Sequence, residues 1–104
     1  MSRRAFLMTL EPGAAGECSL RHQAPWSELV QTLRSQGVVT YSLFHDPASN
    51  QLFGYVEVES DAAWEAVRQA PVYRRWGRFL SDVVATTRSG DFLAIPLREV
   101  FHLS

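Results

Sequence analysis

The stretch VVTYSLFHDPASNQLFGYVEVES, residues 38–60, decides the fold. Residues 38–45 and 51–59 are rich in β-branched and aromatic side chains, the composition that favours strands. The sequence DPASN lies between them and contains the residue types that favour a turn. The stretch therefore predicts a β-hairpin, after which Ser60 begins a helix as its N-cap and Asp61 suits the first turn.

A helical stretch flanks the hairpin on each side. Before the hairpin, between about residues 14 and 35, Trp26, Leu29, Val30 and Leu33 recur at the spacing of a helix that lies on a core. After the hairpin we expect a short helix over residues 61–70 and a second from Pro71 to about residue 84. Their inward-facing residues would be Trp64, Val67, Val72, Trp76, Phe79, Leu80 and Val83.

Strands are predicted at both ends of the chain. In residues 4–10, Phe6, Met8 and Leu10 share one face, and residues 97–103 alternate in the same way. The resulting β-α-β-β-α-β order is that of the ferredoxin-like α+β sandwich, an antiparallel sheet with helices on one face. A chain of 104 residues suits a single domain, so we expect one domain over residues 1–104.

The hairpin is apolar on both of its faces. Leu52, Val56 and Val58 lie on one face of its second strand, while Phe53 and Tyr55 lie on the other. Because one helix layer covers only one face of the sheet, the open face predicts a second copy of the chain. We therefore expect a homodimer of the dimeric α+β barrel type.

Composition excludes several classes of partner. The formal net charge is −1, and the ten basic residues are all arginines that form no stripe for nucleic acid. The apolar runs are far shorter than the roughly 20 residues of a membrane span. A single cysteine, Cys18, allows no internal disulfide, and no secretory signal pattern is present. We expect a cytoplasmic protein that binds neither nucleic acid nor membrane.

The stretch RHQAPWSEL, residues 21–29, holds the first candidate functional residue. His22 lies one turn before Trp26 and would extend the apolar stripe of the helix. Pro25 is unfavourable in a continuous helix but suits the first position of a new one, so we expect a break at residues 22–25. Two interpretations of His22 are open: a core histidine bonded to a backbone carbonyl, or a proton carrier beside a ligand pocket.

No strong catalytic or metal-binding motif accompanies this histidine. The chain lacks a phosphate-binding glycine loop, paired cysteines and a zinc helix, and its three histidines have no metal-ligand spacing. Tyr41 and Trp76 lie on apolar stripes, where aromatic residues are more often core than pocket. Cys18 is expected to be a buried, inert thiol.

Together these stretches resemble the L-rhamnose mutarotase family from end to end without a gap. The resemblance rests on RAFLM near the start, RHxxPWxEL at 21–29, Tyr41, QLFGYVEVES at 51–60, Trp64, RRW at 74–76, SDV at 81–83 and LREVF followed by Leu103. It implies a cytoplasmic homodimer of ferredoxin-like fold that interconverts the anomers of L-rhamnopyranose without a metal or an organic cofactor. It also implies that His22 is the proton donor and that Tyr41 and Trp76 hold the sugar.

The chemistry of the reaction agrees with this assignment. Opening a pyranose ring requires a proton on the ring oxygen and the loss of a proton from the anomeric hydroxyl. An imidazole titrates close to neutral pH and can both donate and recover a proton. The partner base is left open between Asp82, Glu99, a tyrosine and a water molecule.

Two positions depart from the family pattern. Family members carry a tyrosine where this chain has Cys18 and a second tryptophan where it has Gly77, so the identity of the sugar is less certain than the reaction. We expect both positions at the sugar and a smaller wall there, which Tyr73, one turn before Gly77, could refill. A monooxygenase of the dimeric α+β barrel type and a non-catalytic sugar-binding module are the alternative functions.

Overall fold

The computed structural model describes all 104 residues. Its elements are β1 (Ser2–Thr9), α1 (Ala15–His22), α2 (Ser27–Ser35), β2 (Val38–Asp46), β3 (Gln51–Val58), α3 (Asp61–Gln69), α4 (Pro71–Phe79) and β4 (Ile95–Leu97). The strands form one antiparallel sheet in the order β2-β3-β1-β4. This confirms the predicted β-α-β-β-α-β order, with each helical stretch divided into two short helices. None of these helices has the length and apolar character needed to cross a membrane.

The predicted hairpin is present, and its turn is held by the side chain of Asp46. That carboxylate accepts hydrogen bonds from the Ala48 amide (3.0 Å) and the Ser49 hydroxyl (2.8 Å). Asn50 closes the turn with a φ of 57°, a left-handed conformation that asparagine tolerates better than most residues. As predicted, Ser60 caps α3, and its hydroxyl accepts from the Ala63 amide at 3.0 Å.

A β-bulge at Val39 changes which residues of β2 face the helices. The register shifts between Val38 and Thr40, so one extra residue is inserted opposite β3. Val38 packs against the core, whereas the side chain of Val39 is 58% exposed. Simple alternation along residues 38–45 predicts Val39 on the same face as Tyr41, and this prediction is wrong because alternation fails across a bulge.

The break between α1 and α2 lies one residue later than predicted. Helix α1 continues through His22, and α2 begins at Ser27 with Trp26 as its N-cap in an extended conformation. Pro25 therefore precedes the cap and does not occupy the first helical position. The Trp26 carbonyl accepts the first bond of α2 from the Val30 amide at 3.1 Å, and its side chain is left outside the helix, free to pack elsewhere.

The C-terminal part of the chain differs most from expectation. Helix α4 ends at Phe79, and turns over residues 80–83 replace the predicted extension to residue 84. The predicted strand over residues 97–103 is also wrong: β4 is Ile95–Leu97, and residues 98–104 are exposed. In the antiparallel register Leu97 lies opposite Ala5, so β1, which starts at Ser2, has no residue to pair with residues 101–103.

The core lies between the sheet and the helices, and a close contact inside it aligns the aromatic residues. A side chain at Gly54 would collide with the ring of Phe6, which crosses β3 at this point. That ring stacks on Trp64 with 6.0 Å between centroids and meets Tyr41 edge-on at 6.1 Å. The sheet thereby fixes Tyr41 against the layer formed by α3 and α4.

Candidate functional site

His22 is the last residue of α1, and its ring is held by its own helix. The Nδ1 atom lies 2.7 Å from the carbonyl oxygen of Cys18, one turn earlier. A carbonyl oxygen only accepts hydrogen bonds, so Nδ1 carries the hydrogen and donates. The neutral imidazole then has its lone pair on Nε2, the nitrogen available to exchange a proton with a ligand.

Four residues surround His22 and form with it what we call the imidazole cluster: Cys18, Trp26, Trp76 and Phe79. The ring of Trp76, from α4, meets His22 edge-on at 5.5 Å and Trp26 edge-on at 5.0 Å. Phe79 leans against both tryptophans. Trp76 is 4% exposed, so the half-buried imidazole packs against a side chain that is shielded from water.

Cys18 is buried beneath the imidazole and is a free thiol, as predicted. Its Sγ atom lies 3.7 Å from Nδ1 of His22. Burial raises the pKa of this thiol, and the positive charge of Arg21 opposes that shift. The thiol is thus a packing neighbour of His22 and is kept protonated.

Arg21 fastens α1 to the end of α4. Its guanidinium donates two hydrogen bonds to the carboxylate of Asp82, at 2.8 and 3.0 Å, and a third to the carbonyl of Phe79 at 2.9 Å. The bonds from Arg21 lower the pKa of the Asp82 carboxyl. The residue after Arg21 is His22, so this clamp also fixes where the imidazole lies.

A second feature lies on another face of α4. We call it the tyrosine cavity, a space of about 260 Å³ between α3, α4, β1 and the segment that precedes β4. Its walls include Phe6, Trp64, Tyr73, Gly77, Asp91 and Phe92. Neither His22 nor Trp76 lines it, so α4 turns one face to the imidazole cluster and another to the cavity.

Tyr73, which lines this cavity, bonds to Tyr41, which lies behind it and is not one of the lining residues. Their hydroxyl oxygens are 3.1 Å apart, and neither makes another hydrogen bond within the chain. Burial is the main cause that raises the pKa of each hydroxyl, and for Tyr41 the bond to Tyr73 raises it further. Both phenols therefore stay protonated at neutral pH.

Gly77 borders the cavity, but the space beside it is filled. A Cβ atom on Gly77 would lie 3.0 Å from the carbonyl oxygen of Gly90 and 3.7 Å from the ring of Phe92. Phe92 also meets Tyr73 edge-on at 5.7 Å. The expected smaller wall at position 77 is therefore absent, because a turn of backbone and a phenyl ring occupy the place of a large side chain.

The two carboxylates considered as partner bases are both bound to arginines. Asp82 is held by Arg21, and Glu99 is held by Arg3 through bonds of 3.0 and 2.8 Å. The bonds from Arg3 lower the pKa of Glu99, and Arg3 lies on the sheet face that the helices do not cover. Of the partner bases considered from the sequence, a tyrosine or a water molecule is therefore left as a candidate.

The structure thus brings together three of the five predicted site residues. Cys18, His22 and Trp76 are in contact, whereas Gly77 lines the tyrosine cavity and Tyr41 bonds to Tyr73 at its border. His45 bonds to Asn50 at the hairpin turn, and no three His, Cys, Asp or Glu side chains are grouped closely enough to hold a metal ion.

Two features of the cavity were not expected from the sequence. The Tyr41–Tyr73 bond joins residues 32 apart, and the only sequence signal for it was that Tyr73 precedes Gly77 by one helical turn. Arg74 donates to the Asp91 carboxylate at 3.0 and 3.1 Å at the cavity wall, a pair that no sequence pattern indicated.

Aromatic walls, paired phenols and an imidazole with a free ring nitrogen define a small α+β protein suited to binding a small polar ring and moving protons on it. Comparison with known proteins makes the class specific. The sequence model of the L-rhamnose mutarotase family matches residues 3–103, and the chain belongs to that family.

Individual relatives agree with this assignment. The L-rhamnose mutarotase of Opitutus terrae is 42% identical over 99% of both chains. The crystal structure of L-rhamnose mutarotase from Formosa agariphila superposes with a TM-score of 0.88 at 33% identity and covers all of both chains. An antibiotic biosynthesis monooxygenase superposes with a TM-score of 0.63 at 17% identity over 96% of this chain and 99% of its own, a likeness that shows the fold alone.

Proposed function

We propose that this chain is an aldose mutarotase that interconverts the α and β anomers of L-rhamnopyranose, or of a closely related aldose, with His22 as the proton donor. The observation that carries the proposal is the bond from Nδ1 of His22 to the Cys18 carbonyl at 2.7 Å, in a chain of the L-rhamnose mutarotase family. That bond fixes the tautomer and orients the ring, so Nε2 is the atom that exchanges protons.

The reaction requires only proton transfers and one ring bond. Protonated His22 donates from Nε2 to the ring oxygen while the anomeric hydroxyl gives its proton to an acceptor. The bond between the anomeric carbon and the ring oxygen breaks, and an open-chain aldehyde forms. Rotation about the adjacent carbon–carbon bond exposes the other face of the aldehyde. In ring closure the attacking hydroxyl returns its proton to His22, the acceptor returns its proton to the carbonyl oxygen, and the other anomer forms.

The remaining candidate residues would hold the sugar. Trp76 and Tyr41 offer aromatic surfaces for its C–H faces, and Tyr41 adds a hydroxyl. Cys18 and Gly77 are proposed at the sugar as well, Cys18 beneath His22 and Gly77 at the border of the cavity. Because the reaction consists of proton transfers and the breaking and re-forming of one ring bond, the proposed mechanism calls for no metal and no organic cofactor.

The test is saturation-transfer NMR of anomer exchange in L-rhamnose with purified protein. His22→Asn keeps a hydrogen-bonding side chain of similar size and should reduce the exchange rate roughly 10²–10⁴-fold. His45→Asn makes the same change at an exposed histidine and should leave the rate unaltered. Near-normal exchange in a folded His22→Asn protein would remove the assignment, and loss of folding without specific loss of rate would support a core histidine.

The same measurement separates the alternatives. A non-catalytic sugar-binding module would bind L-rhamnose without accelerating exchange. A monooxygenase would act on neither anomer, and the structures with that description share only the fold with this chain.

We further propose that the enzyme is a cytoplasmic homodimer. The sheet face without helices carries Phe44, which is 61% exposed, and Phe53, which is 40% exposed and pairs with it across the strands. Val100 and Phe101 in the last segment are also largely exposed. A second copy would cover these side chains, and a single buried thiol is ordinary in a reducing compartment.

Sedimentation at micromolar concentration tests the assembly. The wild-type chain should sediment as a dimer, and Phe53→Asp, which places a charge in the middle of the open face, should shift it to the monomer. A wild-type monomer would contradict the dimer without affecting the proposed reaction.

A further inference from the structure

We propose that Arg21 and Asp82 are positioning residues for the reaction. Their ion pair fixes the last turn of α1 against the end of α4 and thereby holds the imidazole of His22 where it exchanges protons. The inference rests on the proposed mutarotase function and deepens it. Both residues act through the position of His22 and not on the sugar.

His22 requires a hold from outside its own helix. It is the last residue of α1, and helix ends are among the parts of a protein that open most readily. The polar contacts of its ring are both with Cys18, so they orient the imidazole within α1 but not against α4. A helix of eight residues is too short to be stable alone. The place of α1 therefore depends on tertiary contacts.

Apolar packing supplies few of these tertiary contacts. Cys18 is the only buried residue of α1, and Leu20 is largely exposed. Hydrophobic burial is also non-directional, so it does not by itself fix where the end of a helix lies. A directional contact is needed to keep His22 in one place on Trp76.

Arg21 supplies that directional contact. Its guanidinium binds both oxygens of Asp82 and the carbonyl of Phe79, and it lies 5.1 Å from the centre of the Phe79 ring. Only 18% of the Arg21 side chain is exposed, less than for any other member of an ion pair in the chain. A fork that binds both carboxylate oxygens is stronger and more directional than a single-bond surface pair.

The ion pair joins the two segments where the imidazole meets α4. Arg21 adjoins His22 in the chain, and Phe79 follows Trp76 by one helical turn. A shift of the pair would therefore carry the imidazole across the ring of Trp76. A misplacement of about 1 Å can cost roughly 10²-fold in rate.

Glu17 offers a comparison on the same guanidinium. Its carboxylate accepts a hydrogen bond from Nε of Arg21 at 3.1 Å, but it belongs to α1 and joins no second element. Both Glu17 and Asp82 are exposed. Loss of either removes one negative charge beside Arg21, whereas only loss of Asp82 releases α1 from the end of α4. The two carboxylates therefore separate the effect of position from that of charge.

The first test compares Asp82→Asn with Glu17→Gln by saturation-transfer NMR of anomer exchange in L-rhamnose. Asp82→Asn should lower kcat about 10- to 100-fold with KM nearly unchanged, because the proton donor is misplaced while the sugar contacts stay. Glu17→Gln should alter neither constant. Unaltered kcat in Asp82→Asn, equal losses in both variants, or a raised KM at constant kcat would each overturn the proposal.

Arg21→Lys tests the pair from the other side. Lysine keeps the positive charge but cannot form the fork, so kcat should fall by a similar factor. The double variant Arg21→Lys/Asp82→Asn should lose little more than the more affected single variant, since both changes remove one contact. Fully additive losses would contradict the proposal. If Arg21→Lys does not fold, Asp82→Asn, which changes an exposed side chain, decides the question.

The ring signals of His22 give a readout that is independent of catalysis. The chain has three histidines, so the imidazole Cε1–H groups give three signals, assigned with one His→Asn variant each. The ring current of Trp76 acts on His22, so Asp82→Asn and Arg21→Lys should both shift its signal and leave that of His45, at the hairpin turn, in place. A His22 signal that stays constant in both variants would overturn the proposal, whatever their stability.

The positioning role and the proposed function fail separately. If the wild-type protein produces no exchange, the mutarotase function is wrong, and the His22 signal alone decides whether the ion pair positions the ring. If wild-type exchange is fast and is lost in His22→Asn but not in Asp82→Asn or Arg21→Lys, the function stands and the positioning role is wrong.

Discussion

Helix α4 joins two regions that differ in how they are built. On one face Trp76 packs against His22 and Trp26 in the imidazole cluster, where aromatic rings fill the space. On another face Tyr73 and Gly77 border a cavity of about 260 Å³. The cluster holds one imidazole in a fixed orientation, whereas the cavity has unfilled volume and is bordered by Tyr73, whose hydroxyl bonds to that of Tyr41. Rigid positioning and ligand accommodation are thus divided between two faces of one short helix.

Removing the ring of Trp76 should have the largest effect on stability. It should also abolish the difference between the filled cluster and the unfilled cavity. Trp76→Ala deletes a nearly fully buried side chain and should lower the free energy of unfolding by about 3–5 kcal/mol. Urea unfolding measures this. Trp76→Phe, the control, should cost clearly less. An equal loss of unfolding free energy in both variants would mean that an aromatic ring at position 76 does not support the packing of the cluster.

A methyl group at position 77 should have the next largest effect, and it acts on the cavity face. The added Cβ of Gly77→Ala would lie 3.0 Å from the Gly90 carbonyl, so the turn at residues 87–92 must move. Relative to an unhindered glycine-to-alanine change in a helix, we expect a loss of roughly 1–3 kcal/mol, as for other overpacked sites. Gly16→Ala, where a Cβ meets nothing within 4 Å, is the matched control. A Gly77→Ala protein as stable as the wild type would show that the turn yields freely.

Alkaline conditions should affect both regions, the Tyr41–Tyr73 pair beside the cavity through its phenols and the cluster through the thiol of Cys18, whose pKa is also raised. The pKa values of Tyr41 and Tyr73 are raised in the folded chain, so their contribution is complete below about pH 10 and declines as the pH rises further, because the unfolded chain ionises first. Tyr73→Phe should reduce the slope of stability against pH above pH 10 by up to about 1.4 kcal/mol per pH unit. Thermal unfolding between pH 9 and 11 measures it, and unchanged slopes would contradict the burial of this phenol.

Acid should produce the smallest effect, and on the cluster side. Arg21 lowers the pKa of Asp82 in the folded chain, so the stabilisation is present above about pH 4 and is lost as the pH falls through the lowered pKa. Asp82→Asn should be slightly less stable than the wild type at pH 7 and equal to it near pH 2. A difference that persists at pH 2 would show that the clamp does not depend on the charge of Asp82.

The sequence predicted the features that depend on local periodicity. The stripes of Trp26 and Trp64 placed the helices, the DPASN turn placed the hairpin, and their order indicated the sheet topology. The resemblance to the family added His22 as a candidate, and family membership is confirmed by the match over residues 3–103. The roles of the individual site residues stay predictions.

Features that depend on long-range contacts were missed. The bulge at Val39 is set by its pairing with β3, and the end of β4 by where β1 begins. The Tyr41–Tyr73 bond and the Arg74–Asp91 pair join residues far apart in sequence, so no local pattern could indicate them. The cavity that they border follows from tertiary packing alone.

Gly77 also bears on which side chains position 77 can accept in this chain. The resemblance places a tryptophan at this position in other family members, whereas here the Gly90 carbonyl lies only 3.0 Å from where a Cβ of residue 77 would be. A reversion at position 77 alone would meet backbone, which cannot rotate away as a side chain can. A tryptophan at position 77 would require a concerted change at residues 90–92. The effect of a substitution at position 77 therefore depends on those residues. We expect residues 77 and 92 to covary among the descendants of this lineage, with an aromatic ring at one position or the other.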